Sequence, residues 1–175
     1  MPLASTMAYV KGLLDGTKCP GQSRFIRAYV APPDPETNNR EPHAYIWTSR
    51  GNERRATGPR GAAPANTRGQ YVQTAPAGWK TLSHSIDIYL TWFDDNSDPQ
   101  GDSTFPFVVD IVLAVLRTTQ MPILITDPGT GQKSQLVTLG RDMSWEYMPI
   151  KATASQRMWR LDALITAPTE EWIQA

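Results

Sequence analysis

Cysteine is almost absent from this chain of 175 residues, where Cys19 stands alone. One thiol can build neither an intramolecular disulfide nor a cysteine-cluster metal site, which suits a reducing compartment. An excess of one charge is lacking too: 17 basic residues balance 17 acidic ones, so neither a polycation for nucleic acid nor an acidic tail is present overall. Long hydrophobic runs are missing. The longest, from Phe105 to Leu116, is about half of the roughly 20 residues that cross a bilayer. The first residues show no basic region followed by a long apolar core, so a soluble protein without a recognisable export signal is expected. No Walker loop, GxGxxG turn, GxSxG elbow or HExxH helix occurs. No catalytic residue, cofactor or metal is therefore assigned, and a non-enzyme is expected.

What is present is led by the stretch from Lys80 to Thr118. Leu82, His84, Ile86, Ile88, Leu90 and Trp92 alternate with Ser83, Ser85, Asp87, Tyr89, Thr91 and Phe93, the period of a long strand with one dry face. The acidic, Gly/Pro-broken segment from Asp94 to Asp102 is read as a loop. Ser103 or Thr104 can then cap a helix with Pro106 in its first turn. From Phe107 to Leu116 that helix has one charged residue, Asp110, and is apolar around most of its circumference. Such a helix is buried on more than one side. Part of its surface, with Phe107, Val108, Ile111, Val112 and Val115, is expected to meet another copy of the chain.

The length suits one domain, residues 1–175. Fifteen prolines, mostly clustered between apolar runs, predict long irregular connections. Ser5 to Asp15 reads as a short amphipathic helix capped by Ser5 and ended by Gly16. Arg24 to Val30 and His43 to Ser49 read as strands of an antiparallel hairpin. After the buried helix, MPILIT, the turn DPGTGQ and Ser134 to Leu139 form a second hairpin. Met143 to Ile150 and Met158 to Thr166 complete a meander. The tail from 167 to 175 is read as an extension in which Thr169 could cap a short turn, and its Trp172 and Ile173 need a dry place. The fold class is α+β: one domain with a mixed or antiparallel sheet, two main helices packed on it, and long loops.

Between Arg50 and Arg68, an aperiodic loop (the segment 50–70) holds Arg50, Arg54, Arg55, Arg60 and Arg68 against Glu53 alone, a local charge of +4. Connections this long are uncommon in compact domains and usually functional or disordered. Guanidinium groups there would meet phosphates without sequence specificity; a solvated loop is the simpler reading. The acidic loop invites calcium, but counting from Asp94 the sixth position is Pro99 and the twelfth Phe105, where an EF-hand needs Gly and Glu. A solvated loop that favours the following helix N-terminus is preferred. His84 on the dry face has no Ser, Cys or Glu at a recognisable spacing, so a satisfied, half-buried histidine is expected. Six tryptophans on separate elements read as core or interface anchors rather than a base-stacking platform.

The order helix, hairpin, long loop, long strand, buried helix, strand meander, with the run SIDIYLTWFDD followed by FPFVVDIVLAVLRT, resembles the tail terminator proteins of long-tailed, siphovirus-like bacteriophages. The resemblance covers roughly Ser5 to Ile165 and rests on layout and the central stretch. It implies a structural virion protein, made in the host cytoplasm and placed in the tail neck as a six-membered ring. The ring would end growth of the tail tube and join the tail to the head. Implied partners are further copies of itself in a homohexamer, the tail tube protein, the head-tail connector protein, and genomic DNA passing through the lumen without sequence specificity. The Arg-rich loop would face that lumen or an adjoining ring, and Phe107, Val108, Ile111, Val112 and Val115 would lie between subunits. The loop and the C-terminal extension depart from the smallest members of the family. Another neck component, such as a head-completion or connector ring protein, and a small nucleic-acid-binding module are the alternatives.

Overall fold

The computed structural model describes residues 2–19, 24–32, 41–55, 79–95, 101–140, 142–148, 151–153 and 158–174. Two helices and one eight-stranded mixed sheet make a single-domain α+β fold. The chain order is α1 (Pro2–Leu14), β1 (Arg27–Tyr29), β2 (His43–Arg55), β3 (Trp79–Asp95), α2 (Gly101–Thr118), β4 (Ile123–Thr126), β5 (Lys133–Leu139), β6 (Ser144–Tyr147), β7 (Lys151–Thr153) and β8 (Met158–Gln174). Across the sheet the order is β1-β2-β3-β8-β5-β4, with β6 and β7 also paired to β8.

The centre of the sheet is the antiparallel pair β3 and β8, 17 residues each, matched from Trp79↔Gln174 to Asp95↔Met158. The even positions of β3, Ile86, Ile88, Leu90 and Trp92, are fully buried and share a face with Leu161, Ala163, Ile165 and Ala167 of β8. Ala44 and Ile46 of β2 extend that face. Alternation in sequence becomes one continuous apolar floor. The helices cover it: Val10 and Leu14 of α1, and Val108, Val109, Val112, Leu113 and Leu116 of α2, join the same core.

Several expectations are corrected. The first is the hairpin, because β1 runs parallel to β2 through Arg27↔His43 and Tyr29↔Tyr45. The connection between them is about a dozen residues, long enough to carry the chain back for a parallel crossover. Ser5 does not cap α1. It is the fourth residue of the helix, where its hydroxyl donates to Asp127 Oδ2 at 3.1 Å, tying α1 to the β4–β5 turn. The second helix begins at Gly101, before Ser103, and Pro106 falls in its second turn. Nor does β3 have a single dry face, since Asp87, Tyr89 and Thr91 on its other side are buried as well.

The tail is not an appendage. Residues 167–174 continue β8, paired to β3 on one side and to β5 on the other, and Trp172 and Ile173 are buried there. One long strand thus serves β5, β6 and β7 in succession along its second edge. The β4–β5 hairpin forms as expected. Asp127 Oδ1 accepts the N–H groups of Gly129 at 2.9 Å and Thr130 at 2.8 Å, and Gly131 takes φ 68°, the Asx-turn and left-handed chemistry that this sequence supports.

Ile88 lies wholly inside this core while Leu124 is 61% exposed. Ile88→Ala is therefore expected to lower unfolding stability by about 2–5 kcal/mol, and Leu124→Ala by no more than about 0.5 kcal/mol. Urea denaturation of both variants checks this; equal losses would contradict the placement of the core.

Candidate functional site

The face of the sheet opposite the two described helices carries the polar chemistry. Strand β2 bulges between Thr48 and Arg50, and Arg50 then pairs with Ser85 and Gly51 with His84. The bulge breaks the alternation, which is why the segment after Ser49 looks aperiodic although the strand continues to Arg55. Gly51 eases this pairing, because a Cβ would stand 3.2 Å from the Cβ of His84 and one of the two would have to shift slightly. The result is a cleft of about 520 Å³ lined by Arg50, Gly51, Ser83, His84, Ser85, Thr138, Asp142, Pro168, Thr169 and Glu170.

Arg50 thus shares the cleft lining with Asp142 and Glu170 and with the hydroxyl-bearing Ser83, Ser85 and Thr138. Glu170 also accepts the indole N–H of Trp172 at 3.3 Å. Two carboxylates beside one arginine oppose a phosphate, whose binding rests on uncompensated cations. The lining suits a polar polypeptide segment with both donors and acceptors.

Only part of the expected arginine cluster meets here. Arg50 is on the cleft wall and exposed, whereas Arg54 and Arg55 lie in β2 opposite Thr81 and Lys80. At about 3.3 Å per residue that is roughly 13–17 Å further along the strand. These three belong to a strand, which corrects the loop expected from sequence; Arg60 and Arg68, with the rest of the segment from 56 to 70, lie outside the described residues.

The expected interface on α2 also divides. Val108 and Val112 are buried in the chain's own core, Ile111 and Val115 are half-buried against it, and Phe107 is 55% exposed. The reason is angular: Val108 and Val112 sit one turn apart on the stripe shared with Val109, Leu113 and Leu116. This chain itself covers that stripe, so the self-contact reading of Val108 and Val112 is withdrawn.

Sequence reasoning missed the partner of His84. Its Nε2 lies 2.8 Å from Oε1 of Glu171, and both side chains are fully enclosed. They are 87 positions apart, and the register of β3 with β8 puts His84 opposite Thr169 and Glu171 opposite Leu82. The signal available was parity alone: Glu171 alternates in step with Thr169 and Ile173. Among the described residues, His84 Nδ1 and Glu171 Oε2 have no hydrogen-bond partner. Cys19, also buried, has its thiol pushed up to about 11, by burial against a smaller opposing effect of Arg24. It is protonated at neutral pH and a poor nucleophile.

Beside the cleft on the same face runs an aromatic strip. Tyr29 and Tyr45 stack at 5.5 Å, His43 meets both, and Trp47 approaches Tyr89 at 6.3 Å. Burial lowers the His43 pKa, outweighing the opposing pull of Glu41, which favours a neutral ring.

Together these features define a one-domain α+β protein with helices on one face of its sheet and a polar, aromatic surface on the other. No family model matches the sequence, and no curated protein matches it.

Because both partners are enclosed, Glu171→Leu alone is expected to lower stability by about 3–5 kcal/mol, and adding His84→Leu is expected to restore most of the loss. Urea midpoints for the two single variants and the double variant decide this. A double variant as unstable as the sum of the singles would show that the pair is not coupled.

Proposed function

We propose that this chain is a structural virion protein that closes the top of a phage tail tube as a ring and joins it to the head connector. The observation that carries the reading is the order of elements around the central run, SIDIYLTWFDD then FPFVVDIVLAVLRT, which forms the long central strand and the helix packed on it. Among the described residues both helices pack into one core on the sheet, consistent with a subunit whose exposed flanks serve contacts with other proteins. The enclosed His84–Glu171 pair favours a scaffold over a reaction site, since substrate cannot reach its atoms. Arg50 in the company of Asp142 and Glu170 favours protein contact at the cleft over strong DNA binding. DNA would then pass the ring without being held, as a conduit requires.

Mixing the purified protein with isolated tail tubes and with DNA-filled heads tests this directly. Electron microscopy is expected to show one end of each tube capped and heads unoccupied. Binding to heads alone would transfer the protein to the connector side of the neck. Binding to neither, with salt-sensitive affinity for DNA instead, would replace the proposal by a nucleic-acid-binding module.

A further inference from the structure

Two β-bulges flank the polar cleft, one on each side. On β2 the irregularity lies between Thr48 and Arg50, and on β5 between Leu136 and Thr138. In a regular ladder Arg50 would stand opposite His84 and turn toward the core, and Val137 would take the place opposite Glu170. The bulges instead put Arg50 opposite Ser85 and Thr138 opposite Glu170. The first is pinned by the Thr48 hydroxyl, which lies 3.0 Å from the carbonyl oxygen of Ser85 and 3.4 Å from that of Arg50. Bulges re-aim side chains, and here two of them aim polar groups at one cleft.

The charges stand in order across the sheet. Arg50 of β2 supplies the cationic wall and Ser83 and Ser85 of β3 the floor, while Glu170 of β8 and Asp142 in the turn after β5 supply the acidic wall. Arg50 is two strands and two residues away from Glu170, roughly 12 Å between Cα atoms. Among the described residues, the side chains of Arg50, Asp142, Ser83, Ser85 and Thr138 have no hydrogen-bond or ion-pair partner within the chain. Glu170 uses only Oε1, on the indole of Trp172. The cleft, about 520 Å³, therefore holds separated charges of both signs with unused donors and acceptors between them.

That order selects a ligand. A phosphate chain is opposed by the two carboxylates, and a polyamine offers Arg50 nothing. A free amino acid bears both its charges on one carbon, too close together to reach both walls. An extended polypeptide places residues i and i+4 on one side, roughly 13 Å apart, which matches the separation of the walls. Its backbone N–H and C=O groups are complementary to the three hydroxyls between them.

We propose that the cleft binds an extended segment of another protein, with an acidic side chain against Arg50 and a basic one, four residues away, against Glu170 and Asp142. Opposed charges fix the register and direction of such a segment. The segment lies across the strands and does not add to an edge, since β3 and β8 are each paired on both sides. This goes beyond the ring reading and does not depend on it, because every wall of the cleft comes from one chain.

The test titrates the full chain with blocked pentapeptides by isothermal titration calorimetry at low salt. The probes are Ac-Glu-Ser-Ser-Ser-Lys-amide and the forms with Glu at both ends, with Lys at both ends, and with Ser throughout. The mixed peptide is expected to bind about tenfold more tightly than any of the other three. Arg50→Glu is expected to transfer the preference to the peptide with two Lys, and Asp142→Lys to the one with two Glu. Both positions are exposed, circular dichroism checks that the fold is kept, and each reversal is readable without the other. Equal affinity for all four peptides, or preferences that both variants leave unchanged, would overturn the charge order. No binding of any peptide would overturn the site. Binding of a DNA oligonucleotide that Arg50→Glu abolishes, with no response to the mixed peptide, would give the cleft to nucleic acid instead. Capping of tail tubes is read in a separate experiment, so either reading can fail while the other stands.

Discussion

The antiparallel pairing of β3 with β8 is the constraint on which the rest of this protein depends. Seventeen residues on each strand are held in one unbroken register, so a slip by a single residue would turn Ile86, Ile88, Leu90 and Trp92 away from the helices. Everything else takes its place from that ladder. Strand β2 extends it on one side, and β5, β6 and β7 share its other side in turn. The two helices need a floor of this length, because each buries only a stripe and neither could stand alone in water.

The same register fixes the polar features. It brings Glu171 to His84 across 87 positions, seals their side chains, and leaves the opposite face to Ser83, Ser85, Glu170 and the aromatic strip. A buried polar pair is weak support for stability, and this one is matched to a single register of the ladder. A tail strand one residue out of step would bury Glu170 or Trp172 against His84 instead. Apolar rungs therefore fill the middle of the ladder, and the hydrogen-bonded His84–Glu171 pair lies near its end.

How much of this could be read in advance follows from the range of the forces involved. The long strand, the buried helix, the β4–β5 hairpin and the α+β class were legible because period, turn chemistry and apolar runs are local. The end of β2 was not, since the bulge after Thr48 erased the alternation that would have announced it. The tail was misread because APTEEWIQA carries two adjacent glutamates, and only its pairing with β3 and β5 makes it a central strand. The parallel sense of β1 depends on where its connection goes, which no local pattern encodes. On α2 the chain covers Val108 and Val112 itself and leaves Phe107 outside, a division that composition alone does not reveal. His84 was expected to be a satisfied, half-buried histidine; it is instead fully enclosed, bonded through Nε2 to a partner beyond any spacing rule, with Nδ1 unpartnered among the described residues.

The functional account rests on one claim, that this fold is a ring-forming subunit. The exposed rings of Tyr29 and Trp145 and the polar cleft are what such a subunit would present to its neighbours. The direct measurement is the mass in solution by light scattering over a range of concentrations, repeated with isolated tail tubes. The account predicts a species near six times 19.5 kDa, about 117 kDa, growing with concentration or appearing on the tubes. A chain that stays at 19.5 kDa under both conditions would contradict it.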